Sequence, residues 1–220
     1  MIQFKDSEGN LQQLNAAEFE RIFGVTYLAS LIIEEGCPAA GWTLKEFKEA
    51  ERPDERRRRY YEKHVAKKKR WVDARLAGKL KNWLYAHHIR QNYVANVYIA
   101  KVSDAVGFGA FAGEDIDKGS FLGEYTGLAR AFADAEASNA YLFNYVSGGV
   151  VDASCSGNFT RFINHSELHA NTTYMRVMVD DLEHVVLLAE KRIRADEQIL
   201  FDYGANYWTQ RELPVDLNKA

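Results

Sequence analysis

The 220-residue chain is poor in cysteine and proline, with two and three respectively. Cys37 and Cys155 are too few for a disulfide framework or a Cys-rich zinc cluster, so the chain reads as intracellular and metal-free. Three prolines and 15 glycines exclude collagen-like or linker-like material. Long apolar runs are missing too. The longest, around Tyr27 to Ile33 and Val185 to Ala189, fall far short of the ~20 residues that cross a bilayer, which excludes an integral membrane protein of the helical kind. The N-terminus has no positive cluster followed by an apolar stretch, so no secretory signal peptide is expected. What is present is 47% apolar and 13% aromatic residues, which excludes a disordered chain. A chain of this length buries roughly 70% of its unfolded surface and needs no covalent staples.

The net charge is only -3, but it is unevenly spread. Residues 45 to 90 carry 16 Lys+Arg against 7 Asp+Glu, and the remaining 174 residues carry 12 against 24. Two readings of the basic segment stand: a solvated helical face, or contact with an acidic partner such as nucleic acid. The acidic remainder favours a cationic substrate over an anionic one.

Asn15-Ala-Ala-Glu18 and Thr43-Leu-Lys-Glu46 fit capping boxes and predict helix starts. After Pro53, Tyr60, Tyr61, His64, Val65, Trp71, Val72 and Leu76 recur at helical spacing, predicting one long charged helix that Gly78 ends or interrupts. A short helix through Trp83 and Leu84 follows. From Tyr93 the pattern turns to short β-branched and aromatic runs: Val97-Tyr98-Ile99, Phe121 to Tyr125, Val150-Val151, Tyr174 to Val179, Val185 to Ala189 and Ile199 to Phe201. Their shortness predicts small sheets without alternating βαβ units.

Four motifs then occur in order. Gly107-Phe108-Gly109 lacks the third glycine and helix of a dinucleotide fingerprint. Gly123-Glu124-Tyr125-Thr126-Gly127 comes next. Arg161-Phe162-Ile163-Asn164-His165-Ser166 follows Gly157-Asn158-Phe159, and Glu197 to Gly204 ends on Phe201-Asp202-Tyr203. His165 and His169 with Cys155 are the only metal reading, and without a Cys-x-x-Cys pair or an aligning helix they make a poor zinc site.

This series resembles the signature blocks of SET-domain protein lysine methyltransferases, over about residues 94 to 208. By size and the absence of zinc modules the chain is similar to the compact bacterial, chlamydial-type members. The resemblance implies an α+β fold: a β-rich SET domain of small sheets with a C-terminal pseudoknot over residues 93–220, including a short C-terminal extension, after a mainly helical, basic N-terminal lobe over residues 1–92. It implies S-adenosylmethionine as methyl donor and a lysine of a basic protein, histone or histone-like, as acceptor. It leaves a homodimer open. It implies a cytoplasmic protein, with export to a host cell and its nucleus as the effector-type extension.

The same resemblance implies the site. Tyr203 is the catalytic residue, with Tyr125 beside it. Gly107, Phe108, Gly109, Tyr141, Arg161, Asn164, His165 and Trp208 meet the cofactor, with Arg161 also expected to hold the knot. Phe201 and Tyr207 line the substrate channel. A lysine amine has an ordinary pKa near ~10.4, and an apolar, tyrosine-rich channel lowers it by desolvation. A phenol is a poor base at neutral pH, so Tyr203 is assigned positioning and electrostatic stabilisation. Phe201 matches a position where the family's choice of Phe or Tyr is linked to methyl number, and Phe implies di- or trimethylation. Two departures stand out: Glu167-Leu-His-Ala-Asn171 replaces the family's Cys-x-Pro-Asn run, and no Cys-rich segment completes the channel, leaving Tyr207 and Trp208 to close it. The competing function is a non-catalytic chromatin or nucleic-acid binding module that uses the basic helical segment.

Overall fold

The structure is a computed structural model that describes residues 2–35, 37, 85–136, 138–145, 148–180, 182–204 and 207–208. At the N-terminus β1 (Ile2–Lys5) and β2 (Leu11–Leu14) form a hairpin, followed by helix α1 (Ala16–Phe23). The expected capping box is present: Glu18 N–H donates to Asn15 Oδ1 at 3.0 Å, and Asn15 N–H donates to Glu18 Oε2 at 2.8 Å. Gly24, at φ 65°, closes the helix in the left-handed conformation that glycine adopts without steric cost. Short strands β3 (Thr26–Tyr27) and β4 (Ile32–Ile33) follow. The expected helices at Thr43, through Arg70 and at Trp83 lie outside the described residues, and residues 85–90 are helical.

The later strands are β5 (Val97–Ser103), β6 (Gly107–Ala112), β7 (Phe121–Glu124), β8 (Leu128–Ala131), β9 (Leu142–Asn144), β10 (Gly149–Asp152), β11 (Ser156–Gly157), β12 (Asn164–His165), β13 (Thr172–Val179), β14 (Leu182–Ala189) and β15 (Leu200–Phe201). They form small sheets in the orders β2-β1-β5-β6, β4-β8-β10-β9, β11-β3 and β12-β15-β13-β14-β7. The fold is therefore the expected β-rich assembly.

A division at residue 92 does not describe how these sheets are built. β1 runs parallel to β5 with Phe4 opposite Ile99, β4 runs parallel to β8, and β3 runs parallel to β11. Residues 2–33 thus hold one eight-residue helix and four short strands that enter three sheets, which corrects the expectation of a mainly helical lobe there. The core agrees: Ile2, Leu14, Phe19 and Val25 pack in one cluster with Ile99, Leu122, Phe159, Ile193 and Ile199. An outer cluster sets Tyr85 and Ile89 of the helical 85–90 segment against Phe121, Val177, Val186 and Leu188.

The C-terminal crossing is the feature that builds the site. β15 lies between β12 and β13 and is parallel to both, with Asn164 opposite Leu200, His165 opposite Phe201, and Thr172 opposite Phe201. The chain returning from Ile199 therefore threads beside the loop that joins β12 to β13, the expected pseudoknot. Asn171, fully buried, fastens it. Its Nδ2 donates to Gln198 O at 2.8 Å and Glu197 Oε1 at 3.2 Å, and its Oδ1 accepts from Leu200 N–H at 2.9 Å.

Candidate functional site

The knot delivers Tyr203 to the end of β12. Tyr203 N–H donates to His165 Nδ1 at 3.1 Å, and the Tyr203 hydroxyl donates to Ile163 O at 2.6 Å. Burial pushes the phenol well above its ordinary value near 10, and Tyr125, Tyr207 and Tyr141 push the same way. A hydroxyl that holds its proton so firmly is no general base. Its proton is committed to a carbonyl, so its lone pairs are what it offers to a ligand.

Two further tyrosines repeat the arrangement. The Tyr125 hydroxyl donates to Tyr141 O at 2.9 Å and the Tyr207 hydroxyl to Ala140 O at 2.7 Å. Burial raises the Tyr125 phenol above its usual range, against the opposing pull of Arg161. Tyr125 follows β7 directly, and Gly127 fits because a Cβ there would overlap the Asp152 carbonyl. Three hydroxyls with their protons turned away onto the main chain make an oxygen-rich lining suited to a cationic or partly positive ligand.

The remaining groups converge from four segments. In the neutral His165 ring, acceptance of the Tyr203 N–H at Nδ1 leaves the proton on Nε2, free to donate. Trp208 meets the His165 ring edge at 4.9 Å and stacks parallel to Tyr203 at 6.1 Å. Tyr207 packs on Tyr203 at 4.6 Å, so both aromatics after the last motif contact the Tyr203 ring. The Asn164 amide donates to Phe108 O at 3.1 Å, joining the first motif to the third. Phe201 lies 6.0 Å from Tyr203 and 6.2 Å from Phe143.

Residues 107–204 match the family model described as the SET domain, 98 of the 220 residues. Residues 107–204 form a SET domain. Among curated proteins, histone-lysine N-methyltransferase mes-2 of Caenorhabditis elegans is 36% identical over 111 residues, covering 46% of this chain and 14% of that protein. Histone-lysine N-methyltransferase 2B of Homo sapiens is 33% identical over 106 residues, covering 44% of this chain and 4% of that protein. A humanized mutant of the Chaetomium thermophilum Polycomb Repressive Complex 2, bound to the inhibitor GSK126, superposes with a TM-score of 0.50 at 31% identity, over 56% of this chain and 16% of that one. The chain thus spans a small part of the relatives it matches.

Within the SET domain some expected cofactor residues have other work. Gly109 faces no open space: a Cβ there would stand 2.6 Å from Gln198 Nε2 and 2.7 Å from Val102 Cγ2. It admits the knot segment, and the open position is at Gly107, where φ is 78° and nothing lies within 4 Å of the Cβ site. The Phe108 ring is core, packed on Phe23 at 5.1 Å and Phe162 at 6.3 Å, which leaves only its carbonyl toward the site. Arg161 donates to Ala153 O and Ser154 O and lies 4.1 Å from the Tyr141 ring centroid. It anchors the Tyr141 side of the site to residues 153–154, and the knot is fastened by Asn171 instead. Sequence reasoning passed over Asn171, Phe143 and Tyr174. Phe143 lies two residues after the expected cofactor residue Tyr141, and Tyr174 was legible only as a strand residue.

Proposed function

We propose that this chain is an S-adenosylmethionine-dependent protein-lysine N-methyltransferase acting on basic proteins, histones or histone-like proteins. The observation that carries the reading is the trio of tyrosine hydroxyls, Tyr203, Tyr125 and Tyr207, each donating its proton to a main-chain carbonyl. When bound, S-adenosylmethionine supplies an electrophilic methyl group on a cationic sulfur. The residues fit such a group. The three oxygens offer lone pairs to a positive centre, the Asn164 and His165 edges are polar, Trp208 presents an aromatic face, and the space at Gly107 lets a ligand approach the main chain. Asn164, His165, Trp208 and the Gly107–Phe108 main chain would hold it, with Tyr141 and Arg161 at the far side.

Tyr203 and Tyr125 orient the acceptor amine by accepting from its N–H groups, and Phe201 with Phe143 holds the alkyl stem. Rings around the amine exclude water and disfavour its charged form, which maintains the neutral nucleophile. The proton that leaves the amine passes to solvent, since the phenols stay protonated and offer no phenolate to take it. Support for a basic acceptor comes from the acidic balance of the chain outside residues 45–90 and from relatives named as histone-lysine N-methyltransferases. Phe201, which puts no hydroxyl beside the amine, supports di- or trimethylation. Placement among the compact bacterial members rests on size and the absence of zinc modules, residence in the cytoplasm on cysteine usage, and export to a host nucleus on that placement. A nucleic-acid or acidic partner at residues 45–90 is supported by charge, and a homodimer by analogy.

The test is incubation of the purified protein with S-adenosylmethionine and mixed histones beside Tyr203→Phe, with intact masses read for steps of about 14 daltons. Steps in the parent are expected to fall by roughly 10²–10³ in rate in the variant, the usual loss when one preorganised polar group is removed from a reaction centre. Methylation at parental rate in Tyr203→Phe would remove that residue from the mechanism. No steps and no cofactor binding would leave the binding-module reading.

A further inference from the structure

Ala140 and Tyr141 supply two of the three carbonyls that take up tyrosine protons, Ala140 O from Tyr207 at 2.7 Å and Tyr141 O from Tyr125 at 2.9 Å. Ala140 and Tyr141 lie between a short 3-10 turn, Phe132–Asp134, and β9, so no strand ladder sets the direction of these carbonyls. Asn139 sets the first. Its Oδ1 accepts from Tyr141 N–H at 2.9 Å, the bond of an Asx turn, and its Nδ2 donates to Asp152 Oδ1 at 3.0 Å. The Tyr141 N–H and the Ala140 carbonyl are the two ends of one planar trans peptide, so a partner that fixes the N–H also fixes where the carbonyl points. The Tyr207 hydroxyl follows that carbonyl.

The post that holds Asn139 is stiff. Asp152 ends β10 with Leu128 opposite it on one side and Leu142 on the other. Its carboxylate also accepts from Ser154 N–H at 2.9 Å and lies 3.5 Å from Arg130, whose guanidinium donates to both oxygens of Glu34 at 2.7 and 2.9 Å. The next residue, Ala153, donates its N–H to Tyr141 O at 3.1 Å and so holds the second carbonyl. The end of β10 therefore orients both peptides, the first by way of Asn139 and the second directly. Burial does most to raise the phenols of Tyr203 and Tyr125, and Tyr207 and Tyr141 add to it, which puts the Tyr207 hydroxyl in the same electrostatic neighbourhood.

We propose that Asn139, held by Asp152, is a positioning residue for the Tyr207 hydroxyl, turning its proton onto Ala140 O and its lone pairs toward the acceptor amine. On the methyltransferase reading, which this role presupposes, Tyr207 then shares with Tyr203 and Tyr125 the work of orienting the nucleophile. Without Asn139 the peptide between Ala140 and Tyr141 loses the partner of its N–H and can turn. A phenol whose carbonyl partner has moved away points its proton at the amine from which it should accept. Tyr141 O, held by Ala153 N–H, keeps the Tyr125 proton, so the effect is confined to Tyr207.

The experiment uses the full chain as parent, Asn139→Ala, Tyr207→Phe and the double variant, with kcat measured on S-adenosylmethionine and unmodified core histones. Amide exchange at Tyr141 is followed by NMR in the free protein. Asn139→Ala is expected to lower kcat by about 10- to 100-fold, the loss that a misplaced group produces at a reacting centre, and to speed Tyr141 exchange by about tenfold or more as its hydrogen bond is lost. Tyr207→Phe lowers kcat by a similar factor, and Asn139→Ala then adds less than about twofold, because no hydroxyl remains to be turned. A general loosening of the fold would carry its full factor into the Tyr207→Phe background. Asn139→Asp keeps an acceptor for Tyr141 N–H but sets a carboxylate against Asp152; combining it with Asp152→Asn restores a donor between the two and must recover most of the lost rate. If Asn139→Ala does not fold, that loss and recovery decide the question in its place. Parental kcat in Asn139→Ala or in Tyr207→Phe, multiplying losses in the double variant, unchanged exchange at Tyr141, or no recovery in the exchanged pair would each overturn the role given to Asn139 while leaving the methyltransferase reading intact. No transfer by the parent would overturn that reading, and this role with it.

Discussion

Replacing Asn171 by Ala tests whether the knot sets the site. The side chain makes three bonds to the threaded segment: to Gln198 O, to Glu197 Oε1 and from Leu200 N–H. Its own main chain adds a bond to Leu200 O at 3.0 Å, which the substitution leaves in place. At about 1 kcal/mol net for each lost bond, and more where a buried partner is left unpaired, Asn171→Ala is expected to cost roughly 3–5 kcal/mol. For a chain of this size that is a fall of roughly 6–20 °C in Tm. Asn171→Asp keeps the acceptor for Leu200 N–H but sets a carboxylate against the Gln198 carbonyl and Glu197, so at neutral pH it recovers little. Thermal and urea unfolding give the stability, and calorimetric titration with S-adenosylmethionine gives the second readout. Binding should weaken along with stability, because Phe201 and Tyr203 follow the fastened segment directly. A variant as stable as the parent would show that β15 is held by other means and would refute the role given to Asn171.

Further outcomes follow from the same geometry. Phe19 is fully buried in the core shared by α1, β5 and β7, so Phe19→Ala should destabilise the whole SET fold by about 3–5 kcal/mol in a single transition. A separate early transition would instead mean that residues 2–33 fold independently. Asp152 loses by burial but gains more from Ser154, Asn139 and Arg130, which together hold its carboxyl below the usual value of 3.8. Its folded pKa is therefore depressed, so the contribution is present above the unfolded value and lost as pH falls through the folded one. Asp152→Asn should flatten the stability profile below about pH 4, and an unchanged acid limb would count against it. Under the proposed methyltransferase reading, Phe201→Tyr should shift products toward monomethyl-lysine, since it adds a hydroxyl to the ring 6.0 Å from Tyr203; mass spectrometry at long reaction times would expose the opposite result.

The local features were legible in the sequence because local physics fixes them. The capping box at Asn15 needs only two side chains three residues apart, and it formed as read. Strands β5, β7, β10, β13, β14 and β15 followed their β-branched and aromatic runs, while β6, β8, β9, β11 and β12 were not read as strands. β1 and β2 were missed because Ile2-Gln-Phe-Lys is too short to carry a period, and the hairpin they form joins a larger sheet only through the pairing of β1 with β5, more than 90 residues away in sequence. The glycines show a different limit. Gly109 marks a close approach, but whether a ligand or Gln198 makes that approach is a question of which segments meet.

The motif order by itself pointed to the SET fold and singled out Tyr125, Asn164, His165 and Tyr203 as candidates, because those residue types in that order are local facts. Where their protons point was decided by the tertiary structure. Tyr203 finds Ile163 O and His165 Nδ1, and Tyr207 finds Ala140 O, only after the C-terminal strand has threaded between β12 and β13. Tyr174 joins Phe143 and Phe201 for the same reason: three strands far apart in the chain bring their side chains to one place. A sequence records which groups are available, and a hydrogen bond or ring contact also requires position and direction, which the packing of sheets and the crossing of the chain supply.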